Sequence, residues 1–158
     1  MGGDRAVGLT DTAGPKAAIV SVGNELLYGE TVDTNAAWLG RGLTEWGIRV
    51  AWGFTVRDRV PEIQEAVEWS MRVADIVIVS GGLGPTPDDV TKGAVGELLG
   101  LSLVVDPEVR ATVRKQSQAA GYQEIPRLSE GQAEVVEGSL VLSNDHGTAP
   151  GMLLEHDH

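Results

Sequence analysis

Short apolar runs and amphipathic stretches alternate along the first hundred residues of this chain. The apolar runs, which predict strands, cover residues 16–22, 48–56 and 75–80. Between them, apolar residues recur every three or four positions, as on one face of a helix. One such stretch runs from Asp33 or Thr34 to about Trp46, and a second begins at Pro61. The alternation predicts a three-layer α/β domain with a mainly parallel sheet.

The second half of the chain carries shorter patterns. A third helix is predicted from Asp88 or Asp89 to Leu99, and a fourth from Pro107 to about Ala120. Further short elements are predicted as extended pieces at 101–105, 139–142 and 152–154 and as a helix at 128–136. Residues 1–15 contain no apolar signal core, and we expect them to form a disordered leader. We therefore expect a single domain over residues 16–158.

A glycine-rich loop, residues 81–91, lies between the third predicted strand and the third helix. Backbone amides at the start of a helix suit an anion such as phosphate. Two carboxylates, Asp88 and Asp89, would repel a bare phosphate, and a divalent cation such as Mg²⁺ between them removes that conflict. The loop predicts a metal-assisted phosphate site, although a plain turn with a capping aspartate gives the same residue types. The residues expected to hold a diphosphate are Gly81, Gly82, Gly84, Thr86 and Thr91.

Two other polar loops, 23–35 and 57–60, should lie beside the glycine loop, because the carboxyl ends of parallel strands meet at one edge of the sheet. Asp58 could cap the helix that follows it, or join the aspartates of the glycine loop in binding a metal or activating water. Asp33 and Asn35 could contact the nucleoside part of a ligand, with Glu25 in the same crevice. Capping by Asp33 and solvation of the others is the alternative.

Charge and composition exclude several classes of partner. The chain has 158 residues, with 12 basic and 23 acidic side chains and a formal charge of −11. Nucleic acids and anionic membrane surfaces are bound through clusters of lysine and arginine, so neither is an expected partner. There is no cysteine, which excludes thiolate chemistry and fits a cytoplasmic protein. No apolar run is long enough to span a membrane. A small nucleotide-like ligand remains compatible with this charge.

Four motifs occur in order along the chain: SVGNELLYG at 21–29, VDTNA at 32–36, SGGLGPTPDDVT at 80–91 and GTAPG at 147–151. Together they closely resemble the N-terminal domain of the competence/damage-inducible protein A family. That domain has the molybdopterin-binding fold of molybdenum cofactor biosynthesis proteins. The resemblance covers about residues 16–155.

The resemblance implies a molybdopterin-binding-like α/β domain that forms homodimers or higher homo-oligomers. It also implies a metal-dependent pyrophosphatase that hydrolyses ADP-ribose to AMP and ribose 5-phosphate. In related cofactor-synthesis proteins, the aspartates that match Asp58 and Asp89 line a pterin-phosphate site. Family members usually continue past 147–151, so we expect a domain truncated at its C-terminus and no amidase domain.

We accordingly expect a divalent-metal-dependent pyrophosphatase. Asp88 and Asp89 would bind the metal, and Asp58 would act as the base or as a further ligand. Two alternatives of other classes stay open, since a fold does not determine a function. One is a module that binds molybdopterin or a nucleotide without hydrolysing it. The other is a structural domain that only dimerises.

Overall fold

Three parallel strands form the central sheet of the domain. The computed structural model describes residues 14–124, 131–144 and 149–156. The strands, β1 (Lys16–Val22), β2 (Arg49–Val56) and β3 (Ile76–Ser80), are arranged in the order β2-β1-β3. β1 is buried from Ala17 to Val22, because a strand with neighbours on both edges and helices on both faces has no contact with water. All three predicted strands are confirmed, with ends that differ by at most one residue.

Helices cover both faces of this sheet. They are α1 (Asn24–Leu27), α2 (Thr34–Glu45), α3 (Val60–Val73) and α4 (Thr91–Leu99). Alternate residues of β1 point to opposite sides: Ala17 and Ile19 pack with Leu43 of α2, whereas Val20 and Val22 pack against α3 and α4. The predicted three-layer α/β architecture is confirmed. None of the described helices is both long and apolar enough to cross a membrane.

The C-terminal part forms two small antiparallel sheets. β4 (Leu103–Val105) pairs with β5 (Glu134–Val136), and β6 (Leu140–Leu142) pairs with β7 (Gly151–Leu153). Helix α5 (Pro107–Ala119) contributes Val109 and Val113 to a third apolar cluster with Val135. Gly131–Ala133 forms a turn of 3₁₀-helix before β5.

Three predictions about elements need correction. The predicted helix at 128–136 is wrong within the described residues, because residues 134–136 form β5 and pair with β4 from Val105↔Glu134 to Leu103↔Val136. Two adjacent valines favour a strand once a partner strand is present. The third helix begins at Thr91 rather than at Asp88 or Asp89, since the preceding residues form turns. The predicted loop at 23–29 contains the short helix α1.

Some predictions lie outside the described residues. They concern most of the expected leader, residues 1–13, and the first three residues of the expected helix, 128–130. The GTAPG motif begins at residues 147 and 148, which also lie there, whereas its last three residues lead into β7.

Candidate functional site

The carboxyl ends of the three parallel strands form a crevice whose centre is the end of β1. The amide of Gly23 donates to the carbonyl oxygen of Val56 at 3.0 Å, and the amide of Asn24 donates to Oδ2 of Asp58 at 2.9 Å. On the other side, Nδ2 of Asn35 lies 3.5 Å from Oγ of Ser80, the last residue of β3. The loops 23–35, 57–60 and 81–91 therefore meet at one edge, as the sequence predicts.

Gly81 and Gly82 turn the chain back against the end of β1. Their φ angles of 101° and 60° lie in the left-handed region, which glycine adopts without strain. A Cβ atom on Gly81 would collide with the carbonyl oxygen of Val22, and one on Gly82 would collide with the hydroxyl oxygen of Thr91. Glycine is thus required at both positions by the turn and by the close approach of neighbouring groups.

Thr91 joins this glycine turn to helix α4. Its hydroxyl donates to the carbonyl oxygen of Gly81 at 2.9 Å, and its amide donates to the carbonyl oxygen of Gly82 at 3.1 Å. Only 2% of Thr91 is exposed. Thr91, which was predicted to contact a ligand, therefore has a structural role inside the loop. Val90, the N-cap residue, has no polar side chain, so no side chain caps the first turn of α4.

Asp89 closes the other half of the loop. Its Oδ2 accepts hydrogen bonds from the amide of Thr86 at 2.8 Å and from the hydroxyl of Thr86 at 2.6 Å. Burial opposes the charge on Asp89, but the bonds from Thr86 and from the amide of Gly84, with the nearby charge of Lys92, outweigh it and lower its pKa. Asp89 is therefore ionised at neutral pH and holds the shape of the loop. The predicted contact of the Thr86 hydroxyl with a diphosphate competes with this bond.

The other predicted site residues line the crevice less tightly. Oδ1 of Asp33 accepts the amide of Ala36 at 2.8 Å and caps α2, as one of the two interpretations expects. Asn35 and Asp88 are exposed. Glu25 is also exposed, and its carboxylate folds back towards Gly23.

The carboxylates of the crevice do not form a ready metal site. Within the ranges that the structure describes, no group of three or more His, Cys, Asp or Glu side chains is placed to hold a metal ion. One oxygen of Asp58 and one of Asp89 already accept hydrogen bonds from the protein. Hard cations need several oxygen ligands at once. The described residues thus do not fit a resident metal, and the expected divalent ion stays a prediction.

Cationic side chains near the crevice are engaged with protein groups. The guanidinium of Arg57 contacts Glu62 at 2.9 and 3.0 Å, and this pairing lowers the pKa of Glu62 despite partial desolvation. Lys92 is buried and points to the carbonyl oxygens of Gly131 and Glu134. The amides of Thr86, Asp89 and Thr91 donate to oxygens of the loop itself, so the positive end of the α4 dipole is the feature of this edge that favours an anion.

Known proteins match this chain over nearly its whole length. A family model described as a probable molybdopterin binding domain matches residues 18–158. A competence-damage inducible protein of Caldicellulosiruptor saccharolyticus is 42% identical over 141 residues, which make up 89% of this chain and 34% of that protein. The chain thus spans about a third of the length of this relative.

Solved structures agree with this match. The protein CinA from Thermoplasma acidophilum, whose function is described as unknown, is 35% identical with a TM-score of 0.81, and the match covers 89% of this chain and 82% of that one. A molybdopterin biosynthesis protein from Mycobacterium abscessus is 28% identical with a TM-score of 0.52, over 77% and 78% of the two chains. The molybdopterin-binding-like fold that the motifs imply is confirmed.

The same matches correct the expected function. The matched family is described by binding. Of the three proteins, one is named for competence, one is described as of unknown function and one is named for molybdopterin biosynthesis, so none is named for hydrolysis of ADP-ribose. The metal-dependent ADP-ribose pyrophosphatase was therefore the wrong main interpretation. The alternative, a module that binds without hydrolysis, fits these findings better. It also fits a loop whose central carboxylate, Asp89, is bonded to Thr86.

Proposed function

This chain belongs to the molybdopterin-binding domain family, together with the CinA-like proteins, and from that premise we propose that it binds molybdopterin or a related phosphate-bearing heterocycle without hydrolysing it. The ligand occupies the crevice at the carboxyl ends of β1, β2 and β3. A molybdopterin biosynthesis protein shares the fold at 28% identity, which supports a pterin as the ring of that ligand.

The glycine turn at the end of β3 is the observation that carries this proposal. Neither Gly81 nor Gly82 has a side chain, and their backbone lies directly against Val22 and Thr91, so the turn offers bare backbone at the edge of the crevice. The first turn of α4 follows without a side-chain cap and with the positive end of its helix dipole. A phosphate bound at this point receives hydrogen bonds without a metal ion and without a surface lysine.

The ring of the ligand lies along the other wall of the crevice. Asn35 is exposed there and is held near Ser80, and Glu25 and Asp33 add hydrogen-bond acceptors on the same loop. Donors and acceptors of this kind suit the amide and amino groups of a pterin or a nucleobase. Asp58 supports this wall by bonding the first amide of α1.

Binding and hydrolysis can be separated by one set of measurements. Calorimetry measures the affinity of the purified protein for pyrophosphate, 6-carboxypterin, AMP and ADP-ribose, with and without Mg²⁺, while chromatography follows AMP in the ADP-ribose sample. We expect binding without release of AMP. The variant Gly84→Ala places a Cβ only 2.6 Å from Oδ2 of Asp89, so this carboxylate must shift. The variant should weaken pyrophosphate binding about tenfold, or about 1.4 kcal/mol.

Gly40→Ala is the matched control, because a Cβ at Gly40 meets no other atom within 4 Å. It should leave all affinities unchanged. Release of AMP by the wild-type protein, or failure of every probe to bind, would contradict the proposal.

Association with a second copy and a cytoplasmic location stay predictions. Static light scattering of the purified protein measures the first, with a homodimer or a higher homo-oligomer as the expected result. Fractionation of cells that produce the protein measures the second.

A further inference from the structure

Lys92 is a buried cation at the start of α4. Only 6% of this residue is exposed. Its Nζ donates to the carbonyl oxygen of Gly131 at 2.7 Å and to that of Glu134 at 3.0 Å. Both acceptors belong to the segment 131–136, which forms the 3₁₀ turn and β5 about forty residues further along the chain. One side chain thus connects the helix of the glycine loop with the small β4–β5 sheet.

Burying an ammonium group is unfavourable unless other groups compensate its charge. Desolvation lowers the pKa of Lys92, while the charges of Glu134 and Asp89 act in the opposite direction. An apolar side chain of similar length would fill the same space without this cost. What the ammonium adds is directional bonding to two carbonyl groups of one distant segment.

Lys92 also follows closely after the two residues that shape the glycine loop. Thr91, directly before it, bonds the carbonyl oxygen of Gly81. Asp89, three residues before it, bonds Thr86, and the charge of Lys92 contributes to keeping that carboxylate ionised. A shift of Lys92 therefore moves the start of α4 and both of these contacts together.

We propose that Lys92 is a positioning residue that couples the segment 131–136 to the glycine loop, residues 81–91. The loop keeps the shape that receives a phosphate while the carbonyl groups of Gly131 and Glu134 hold the ammonium. Because coupling between two sites is reciprocal, a phosphate bound at the loop stabilises the segment 131–136 in return. This last consequence rests on the proposed function, whereas the coupling in the ligand-free protein does not.

Hydrogen exchange of backbone amides, read by mass spectrometry, tests the coupling without any ligand. The variant Lys92→Met keeps the length of the side chain and removes its charge and its hydrogen bonds. We expect exchange in both 81–91 and 131–136 to become about tenfold faster, as for the loss of a charge-assisted hydrogen bond that restrains both. Lys92→Arg keeps charge and donors, so it should restore most of the protection. Lys115→Met, at an exposed lysine of α5, should change neither segment.

Pyrophosphate added to the wild-type protein gives a second readout that needs no variant. It should slow exchange in 131–136 as well as in 81–91. Faster exchange of Lys92→Met in 131–136 alone would overturn the proposal, as would equal effects of the arginine and methionine variants.

If Lys92→Met does not fold, the wild-type measurement decides, and protection by pyrophosphate that is confined to 81–91 would overturn the coupling. If neither pyrophosphate nor any of the other probes binds, the proposed function fails. The ligand-free comparison of variants then still decides the role of Lys92.

Discussion

The two walls of the crevice differ in how tightly they are built. In the wall formed by residues 81–91, Thr91 is 2% exposed, and Asp89 holds Thr86 within the loop. In the wall formed by residues 23–35, Tyr28 is 67% exposed and Val32 80% exposed. We expect the first wall to be fixed before a ligand arrives and the second to adapt to it. Under the proposed function, a rigid phosphate site would then lie beside an adaptable ring site, and its preorganisation would reduce the entropy lost on binding.

The difference has a cause in the backbone. Residues 81–91 leave the half-buried strand β3 and enter α4, and Thr86, Asp89 and Thr91 bond other groups of the same loop. Residues 25 and 27–32 of the loop 23–35 are exposed, so their side chains have access to water. Only the first loop is therefore expected to be sensitive to small changes of volume or charge.

The largest effect is expected from Gly81→Ala. The new Cβ would collide with the carbonyl oxygen of Val22, at a residue whose φ of 101° already disfavours alanine. Strain and overpacking together should lower the free energy of unfolding by about 3 kcal/mol or more. Urea denaturation followed by circular dichroism measures this change. Gly40→Ala, in the open helix α2, should be neutral or should stabilise the protein by up to about 1 kcal/mol. A similar result for both variants would show that the wall formed by residues 81–91 is not rigid.

A smaller effect, dependent on pH, is expected from Asp89→Asn. The pKa of Asp89 is lowered in the folded state, so its charge stabilises the fold at pH values above its ordinary pKa of about 4. This stabilisation is lost as the pH falls through the pKa of the folded state. At pH 7 the variant should be about 1 kcal/mol less stable, which is about 2–4 °C in Tm.

The difference in Tm between wild type and Asp89→Asn should shrink as the pH falls below about 4. Thermal scans from neutral to acidic pH measure it. A difference that is independent of pH would mean that the carboxylate is not held as a charge by Thr86.

The smallest effect on stability is expected from Asn35→Ala in the wall formed by residues 23–35. Asn35 is exposed, and its single described contact, with Ser80, is long at 3.5 Å. The free energy of unfolding should change by less than about 0.5 kcal/mol. Binding measurements on this variant should distinguish the roles of the two walls. Its affinity for 6-carboxypterin should fall several-fold, and its affinity for pyrophosphate should stay constant. A loss of pyrophosphate affinity would place Asn35 at the phosphate end and undo the division of roles.

Periodic patterns predicted the central part of the fold well. The buried positions of β1 are apolar except for Ser21, and α2 shows the helical spacing of Ala36, Leu39 and Leu43 that the core uses. Such patterns are local, and burial on one face acts on each of them separately. The helix expected at 128–136 failed because β5 consists of only three residues, whose conformation depends on pairing with β4.

The sequence identified the residue types of the site but not their partners. Thr86, Asp89 and Thr91 were expected to contact a ligand or a metal, and each bonds another part of the glycine loop instead. Spacing along a chain cannot distinguish a hydroxyl that turns inwards from one that faces the solvent. The burial of Lys92 gave no signal at all, because its acceptors are backbone carbonyl groups about forty residues away.

By itself, the order of apolar and polar residues determined the three-layer architecture and the edge of the sheet at which the loops meet, because periodicity and strand direction are properties of the local chain. Only the tertiary structure decided which side chains of that edge are free to meet a ligand. The reason is that the close approach of Val22, Gly81 and Thr91, and the burial of Lys92, arise when distant segments pack together.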